Sequence, residues 1–196
     1  MNIIKINLVL ICAIILVSSV SAMPVYFNTP QYSFQLLRAL GATAGGAADI
    51  GECLKTAYRI TEGDGESWYR EWHKTAQELE AAGNKFLTEG NKLSASEAYL
   101  RASSYYRSAD FFLHGNPSDP RIIGSWEKSR DMFVKAVGLI DKPIVKPVKI
   151  PFEGTTLPGY LCLADDSGKK RPLIIIQTGY DGTKEELYYT VALAAL

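Results

Sequence analysis

The sequence is poor in the residues that build metal centres and redox chemistry. Only two histidines, His73 and His114, and three cysteines occur in 196 residues. No Cys, His or acidic pair falls at the spacing of a zinc ligand set. The acidic "TEGDG" turn, residues 61–65, lacks the alternation of a calcium loop, so no metal and no other cofactor is expected. Charge of one sign is lacking too: 21 basic and 21 acidic side chains give a formal net charge of zero. A polyanion partner needs a basic excess, so nucleic-acid binding is excluded as an expectation. Long hydrophobic runs are confined to the amino terminus.

That terminus has three regions. Lys5 supplies a positive start, residues 6–17 an apolar stretch, and Val20-Ser21-Ala22 a small-residue cleavage site. The stretch is short for a membrane span and has no basic stop-transfer flank. Residues 1–22 therefore read as a signal peptide, with mature protein starting near Met23. The expectation is a secreted, extracellular protein with no stable membrane anchor after cleavage. Cys12 leaves with the signal. Cys53 and Cys162 fall in different halves of the chain and read as free, buried thiols.

What is present is hydrophobic periodicity, and it changes character near Asp141. Residues 23–142 read as helical. Thr29-Pro30 is a cap followed by proline at the first helical position, and a helix runs from there to residue 40. Gly41 and Gly45-Gly46 break it. A second helix is expected over 47–60, with Ile50, Leu54 and Ala57 inward, and a third over 66–87, with Trp68, Trp72, Ala76, Leu79, Ala82 and Phe86 at helical spacing. A capping box, Ser94 to Glu97, opens a fourth. Its apolar face carries Ala98, Ala102, Tyr105, Ala109 and Phe112, and it ends at His114-Gly115. Asp119-Pro120 starts a fifth helix reaching residue 140, with Ile122, Trp126, Phe133 and Val137 inward. A helical repeat would recur with a period of about 34 residues. The residue that far past Trp68 is Ala102, and the pattern does not recur.

Residues 143–196 read differently. "IVKPVKIPFEG" is an extended strand whose prolines suit an edge, and "LPGYLCLAD" is a second strand. "PLIIIQT", residues 172–178, is the continuous apolar run of a strand buried on both faces of a parallel sheet. "TGYDG" then turns into a helix capped by Thr183 and Glu186.

Three segments, "SASEAYLRASSYYRSADFFLHGNPSDPRI", "IPFEGTTLPGYL" and "TGYDGTKEELYY", resemble capped α/β-hydrolases of the FrsA-like group. That group includes 2,6-dihydroxypseudooxynicotine hydrolase and fungal polyketide-shortening hydrolases. The resemblance covers about residues 45–196, the N-terminal part of such a protein. It implies an α/β fold class: an N-terminal α-helical cap, then the first strands of a truncated α/β-hydrolase sheet. It also implies a small-molecule substrate and a Ser-Asp-His enzyme cleaving esters or activated carbon–carbon bonds of ketones. Gly179 and Tyr180 fall on the family's oxyanion loop, with the Tyr180 backbone N–H as donor and Gly179 relieving crowding in the turn. Thr178 stands where relatives often carry glycine or histidine.

No G-x-S-x-G elbow occurs in the 196 residues, and in this fold serine, acid and histidine all follow the third strand. Ser67 and Ser167 have no credible base. The chain is therefore expected to be a fragment without a triad, inactive by itself. Glu71, Tyr105, Tyr106 and Arg107, on adjacent helices, are candidates to line an aromatic substrate pocket. The competing readings are core tyrosines with a surface Arg–Glu pair, and a non-catalytic helical binding module that uses the same pocket.

Overall fold

The structure is a computed structural model that describes residues 26–196. The signal-peptide expectation for 1–22 lies outside the described residues. Five helices come first: α1 (Pro30–Gly41), α2 (Ile50–Ala57), α3 (Gly65–Thr88), α4 (Lys92–Ala109) and α5 (Pro120–Val137). A hairpin follows, β1 (Ile144–Phe152) with β2 (Thr155–Leu163). The described chain closes with α6 (Lys184–Leu187), a π-helical turn (Tyr188–Ala192) and α7 (Leu193–Ala195). A helical domain followed by short strands is the expected fold class.

Local chemistry sets the helix starts. Asp64 accepts from the N–H groups of Glu66 and Ser67, and Asp119 from that of Arg121. Asp64 thus satisfies two of the orphan donors of a first helical turn, and Asp119 one. Asp49 does the same for α2, whose inward residues are Cys53, Thr56 and Ala57. The expected inward stripe is corrected here: Ile50, the first residue of the helix, is exposed, while Ala57 is buried as expected and Cys53 and Thr56 complete the inward face. The fourth helix also starts earlier than the Ser94 box. Asn91 is its N-cap and makes no side-chain cap bond, so Ser94 lies inside the helix.

The core is the seam between α3 and α4. Trp68, Trp72 and Ala76 on α3 and Tyr99, Ala102 and Tyr105 on α4 are almost wholly excluded from solvent. The seam is close because Gly83 has no side chain: a Cβ there would lie 2.7 Å from the Tyr99 ring. A mid-helix glycine costs about 1 kcal/mol of helix propensity, and here the burial of a tyrosine offsets it. At one end of the seam Tyr32 stacks on Phe112 with centroids 4.2 Å apart, and Trp68 meets both rings edge-on.

β1 and β2 pair antiparallel from Ile144↔Leu163 to Phe152↔Thr155. The two-residue loop is Glu153-Gly154, both at positive φ, the mirror-image turn that matches strand twist. Tyr160 fastens the hairpin to the helices, packing on Phe133 and donating to Glu185 at 2.8 Å.

The third strand is not there. Residues 164–182 contain no strand, and Leu173, Ile174 and Ile175 are exposed, Ile175 by 86%. A strand buried inside a parallel sheet forms only between partner strands, which satisfy the N–H and C=O groups along both of its edges. Among the described residues β1 and β2 pair only with each other.

Past that segment the chain returns to the helices. Thr183 and Glu186 form the expected reciprocal capping box. Tyr188 and Tyr189 of the π-helical turn are buried, and a Cβ on Gly45 would come within 2.1 Å of the Tyr189 carbonyl oxygen. Only glycine allows that approach. We therefore expect hydrogen exchange to divide residues 143–196 rather than treat them alike. Amides of 185–189 should exchange nearly as slowly as the α3–α4 seam, while 164–177 exchange at close to coil rates; uniform protection across both stretches would contradict this packing.

Candidate functional site

Every residue of the last turns of α4 is buried, the polar ones included: Ser103, Ser104, Arg107 and Ser108. A guanidinium so placed must be paired, because an isolated buried charge costs several kcal/mol. Its partner is Glu186, whose Oε2 lies 3.1 Å from Arg107 Nε. The same carboxylate accepts from Arg38 of α1, through Nε at 3.1 Å and Nη2 at 2.9 Å. It also accepts the Thr183 backbone N–H at 3.0 Å. One carboxylate thus pairs with two guanidinium groups, accepts hydrogen bonds from that of Arg38, and accepts one more from the start of its own helix.

The two arginines reach further. Arg38 Nη2 donates to the Asp181 carbonyl at 3.1 Å, and Arg107 Nη2 donates to the same oxygen. The loop 178–183 is thereby clamped to the helical domain through its backbone. Within the loop the Gly182 N–H turns back to the Gly179 carbonyl at 3.4 Å. The glycine this turn requires is Gly182, where a Cβ would overlap the Thr178 hydroxyl at 1.7 Å. Gly179, expected to relieve crowding, faces open space. That is a correction: Thr178 folds over the loop and shifts the tight approach three residues on. Tyr180 has a fully exposed side chain. Among the described residues its backbone N–H donates to no protein acceptor.

Of the four pocket candidates, the structure brings one to the loop. Arg107 borders Tyr180 and Asp181. Glu71 instead binds Arg59 at 2.8 Å and Arg70 at 3.0 Å. Burial would raise its pKa, but the two guanidinium groups more than offset that and hold it below the usual carboxylate range. Tyr105 donates to Glu52 at 2.8 Å, and Tyr106 to Glu80 at 2.6 Å. Burial pushes both phenols far up, so they stay protonated. Residues 102–109 of α4 are buried on every side, so these tyrosines belong to the core and not to a shared pocket with Arg107.

The serines and thiols are also accounted for. Ser67 Oγ accepts the Thr61 N–H, Ser167 bonds Asp165 in an exposed turn, and Cys53 is buried with its thiol pushed up to about 11 by desolvation. Cys53 and Cys162 are free. Among the described residues no cluster of three or more metal-ligating side chains occurs, and no helix is long and apolar enough to cross a membrane.

A groove of about 230 Å³ runs between the loop and the helices, lined by Asp110, Phe111 and His114 after α4, Ile123 and Trp126 of α5, and Tyr180. Ile122 and Trp126, expected inside, form its wall instead, while Ser125 and Ser129 are buried in the first half of α5; the other two expected inward residues, Phe133 and Val137, are buried as expected. Asp110 is the C-cap of α4, and its carboxylate lies 3.7 Å from His114 Nε2. Burial raises its pKa to about 7, Arg107 opposes this, and Glu186 adds to it. Arg38, Glu186 and Asp110 were not legible as site residues in the sequence. Arg38 and Glu186 are 148 positions apart, and Glu186 signals only a helix cap.

No family profile matches the chain. Hydrolase acrC of Aspergillus aculeatus is 40% identical over 184 residues, 87% of this chain and 43% of its own length. Hydrolase LUC6 of a Fusarium species is 42% identical over 174 residues, 87% of this chain and 41% of that protein. The 20-hydroxy-prefusarin hydrolase FUS2 of Gibberella moniliformis is 38% identical with the same coverage. The chain therefore spans about two-fifths of the length of these relatives. Among solved structures, 2,6-dihydroxy-pseudo-oxynicotine hydrolase superposes with a TM-score of 0.53 at 20% identity, over 66% of this chain and 34% of that one. That likeness concerns the fold.

Asp110 gives the site a titration that denaturation can read. Its folded pKa, about 7, lies above that of an unfolded aspartate near 3.9. The folded state is thus favoured by the proton below the unfolded value, and this contribution is lost as pH rises through 7. Asp110→Asn mimics the protonated form. It should match the parent's urea midpoint near pH 4 and exceed it increasingly up to pH 8. A midpoint difference that is flat with pH, or reversed, would count against the assignment.

Proposed function

Starting from a chain that resembles α/β-hydrolases over 87% of its length, we propose that it is the cap and oxyanion-loop portion of a secreted serine hydrolase acting on a small molecule. The bond cleaved is an ester or the activated carbon–carbon bond of a ketone. The observation that carries this reading is the clamp on the loop 178–183. Acyl transfer develops negative charge on a carbonyl oxygen, and a donor helps only if it is held in place before the charge appears. Two guanidinium groups fix the Asp181 carbonyl, Glu186 fixes both guanidinium groups, and the adjacent Tyr180 N–H has no acceptor among the described residues. Such a donor is worth about 3 kcal/mol of barrier.

The reaction needs more than this. In the fold the second donor follows the nucleophile on its elbow, and acid and histidine come later. None of these motifs stands in the 196 residues. His114 is on the cap, 3.7 Å from Asp110, with no serine placed as its partner. We infer that the chain by itself forms no acyl-enzyme, because a donor without a nucleophile and base has nothing to stabilise. An in-frame G-x-S-x-G beyond the Leu196 codon in genomic DNA would supply the missing part.

Two outcomes are expected. The purified 196-residue chain should take up no fluorophosphonate and turn over no p-nitrophenyl ester, whereas stoichiometric labelling at any serine would overturn the reading. Material recovered from the secretory pathway should begin near Met23; full-length protein retained in membranes would remove the secretion proposal.

A further inference from the structure

The groove beside the loop has a lining that the core does not explain. Phe111, Ile123, Trp126 and Tyr180 present apolar and aromatic surface, and Ile123 is 64% exposed with Trp126 37% exposed. Large apolar side chains held open to solvent around one concavity mark a binding surface more often than a packing fault. Its volume, about 230 Å³, is below the roughly 300–1,000 Å³ of sites for drug-sized ligands, so one or two rings fill it.

The charges around it select against an ion. Arg107, Asp110, His114 and Asp181 border the groove, and Glu186 stands behind Arg107. Two cations already lie over the Trp126 ring, Arg130 at 5.0 Å and Lys184 at 5.4 Å. They use the ring face that an incoming ammonium would need. An incoming carboxylate would meet Asp110 and Asp181, while the one buried guanidinium is already bonded to Glu186. Among the described residues, what remains unmatched is the Asp110 carboxyl. It is mostly buried and lies beyond hydrogen-bond distance of its nearest ion-pair partner, His114, at 3.7 Å.

We propose that this groove binds a flat, uncharged, mainly apolar molecule carrying one hydrogen-bonding oxygen, and that Asp110 meets that oxygen. A phenol or enol hydroxyl would donate to the carboxylate, and a carbonyl would accept from the carboxylic acid. The inference deepens the hydrolase reading, on which only the placement of this ligand beside a reacting carbonyl rests. Binding itself requires no chemistry.

The 196-residue chain, isotope-labelled, is titrated with p-ethylphenol, ethylbenzene, p-ethylbenzylammonium and p-ethylbenzoate and followed by amide and indole NMR. Saturable shifts of the Trp126 indole N–H and of the Gly182 and Thr183 amides are expected for p-ethylphenol. Ethylbenzene should bind about fivefold more weakly, the usual worth of one hydrogen bond, and the two ions more weakly still. Asp110→Leu should remove the preference for the phenol, and Asp110→Asn should keep it. If Asp110→Leu does not fold, Ile123→Asp on the exposed rim serves instead and should abolish the shifts for both neutral probes. Equal affinity of the phenol and ethylbenzene for the parent chain, preferential binding of either ion, or shifts that never saturate would overturn the proposal. None of these results bears on fluorophosphonate labelling, so the groove and the hydrolase reading fail separately.

Discussion

Glu186 is the residue on which the arrangement depends. Its carboxylate is shared by Arg38 from the first helix, Arg107 from the fourth, and the N–H that opens its own helix. Buried ion pairs gain little net stability, since desolvation cancels most of the attraction. Their effect here is geometric. With both guanidinium groups fixed, the Asp181 carbonyl has one position, and the loop from Thr178 to Thr183 is set against the helices although no strand supports it from below. Removing Glu186 would leave two cations at one carbonyl and a buried arginine without a counter-charge, which costs more than losing one bond.

The same physics leaves a different carboxyl in the opposite state. Glu71 faces two arginines and stays ionised, whereas Asp110 is buried beside an arginine whose charge is already taken by Glu186. The helix C-terminus that Asp110 caps adds no help, because its carbonyl ends repel negative charge. One clamp therefore orders the loop and also leaves its neighbour able to hold a proton near neutral pH. The groove's selectivity for an uncharged ligand follows from both.

Much of the scaffold was legible in the sequence because its signals are local. Thr29-Pro30, Asp119-Pro120 and the Thr183–Glu186 box each act within one helical turn, and the Trp68–Trp72–Ala76 stripe shows at the helical period. The site was less legible. Tyr105 and Tyr106 looked like pocket residues because polar aromatics on a helix suit either a pocket or a core, and only the neighbours Glu52 and Glu80 decide. Ile122 and Trp126 looked like core for the same reason. The run 172–178 has the composition of a buried strand, but strand formation depends on partners that no single segment encodes. The clamp itself joins residues from three distant places, and nothing in the spacing of Arg38, Arg107 and Glu186 connects them.

That spacing also has a kinetic side. The helical seam is built from neighbours in sequence, α3 with α4 and α4 with α5, contacts that close short loops. The Arg38–Glu186 contact spans 148 positions, so its loop-closure entropy is among the largest in the chain, and topologies dominated by such contacts form late. Assembly then has a direction: the helices form a finished surface first, and the loop is laid down on it afterwards. The reverse order holds for opening. The loop can lift from the helical face while the seam stays shut, because the bonds that hold it contribute nothing to the Trp68–Tyr105 core. The Tyr180 N–H thus sits on the last part of the molecule to close and the first to open.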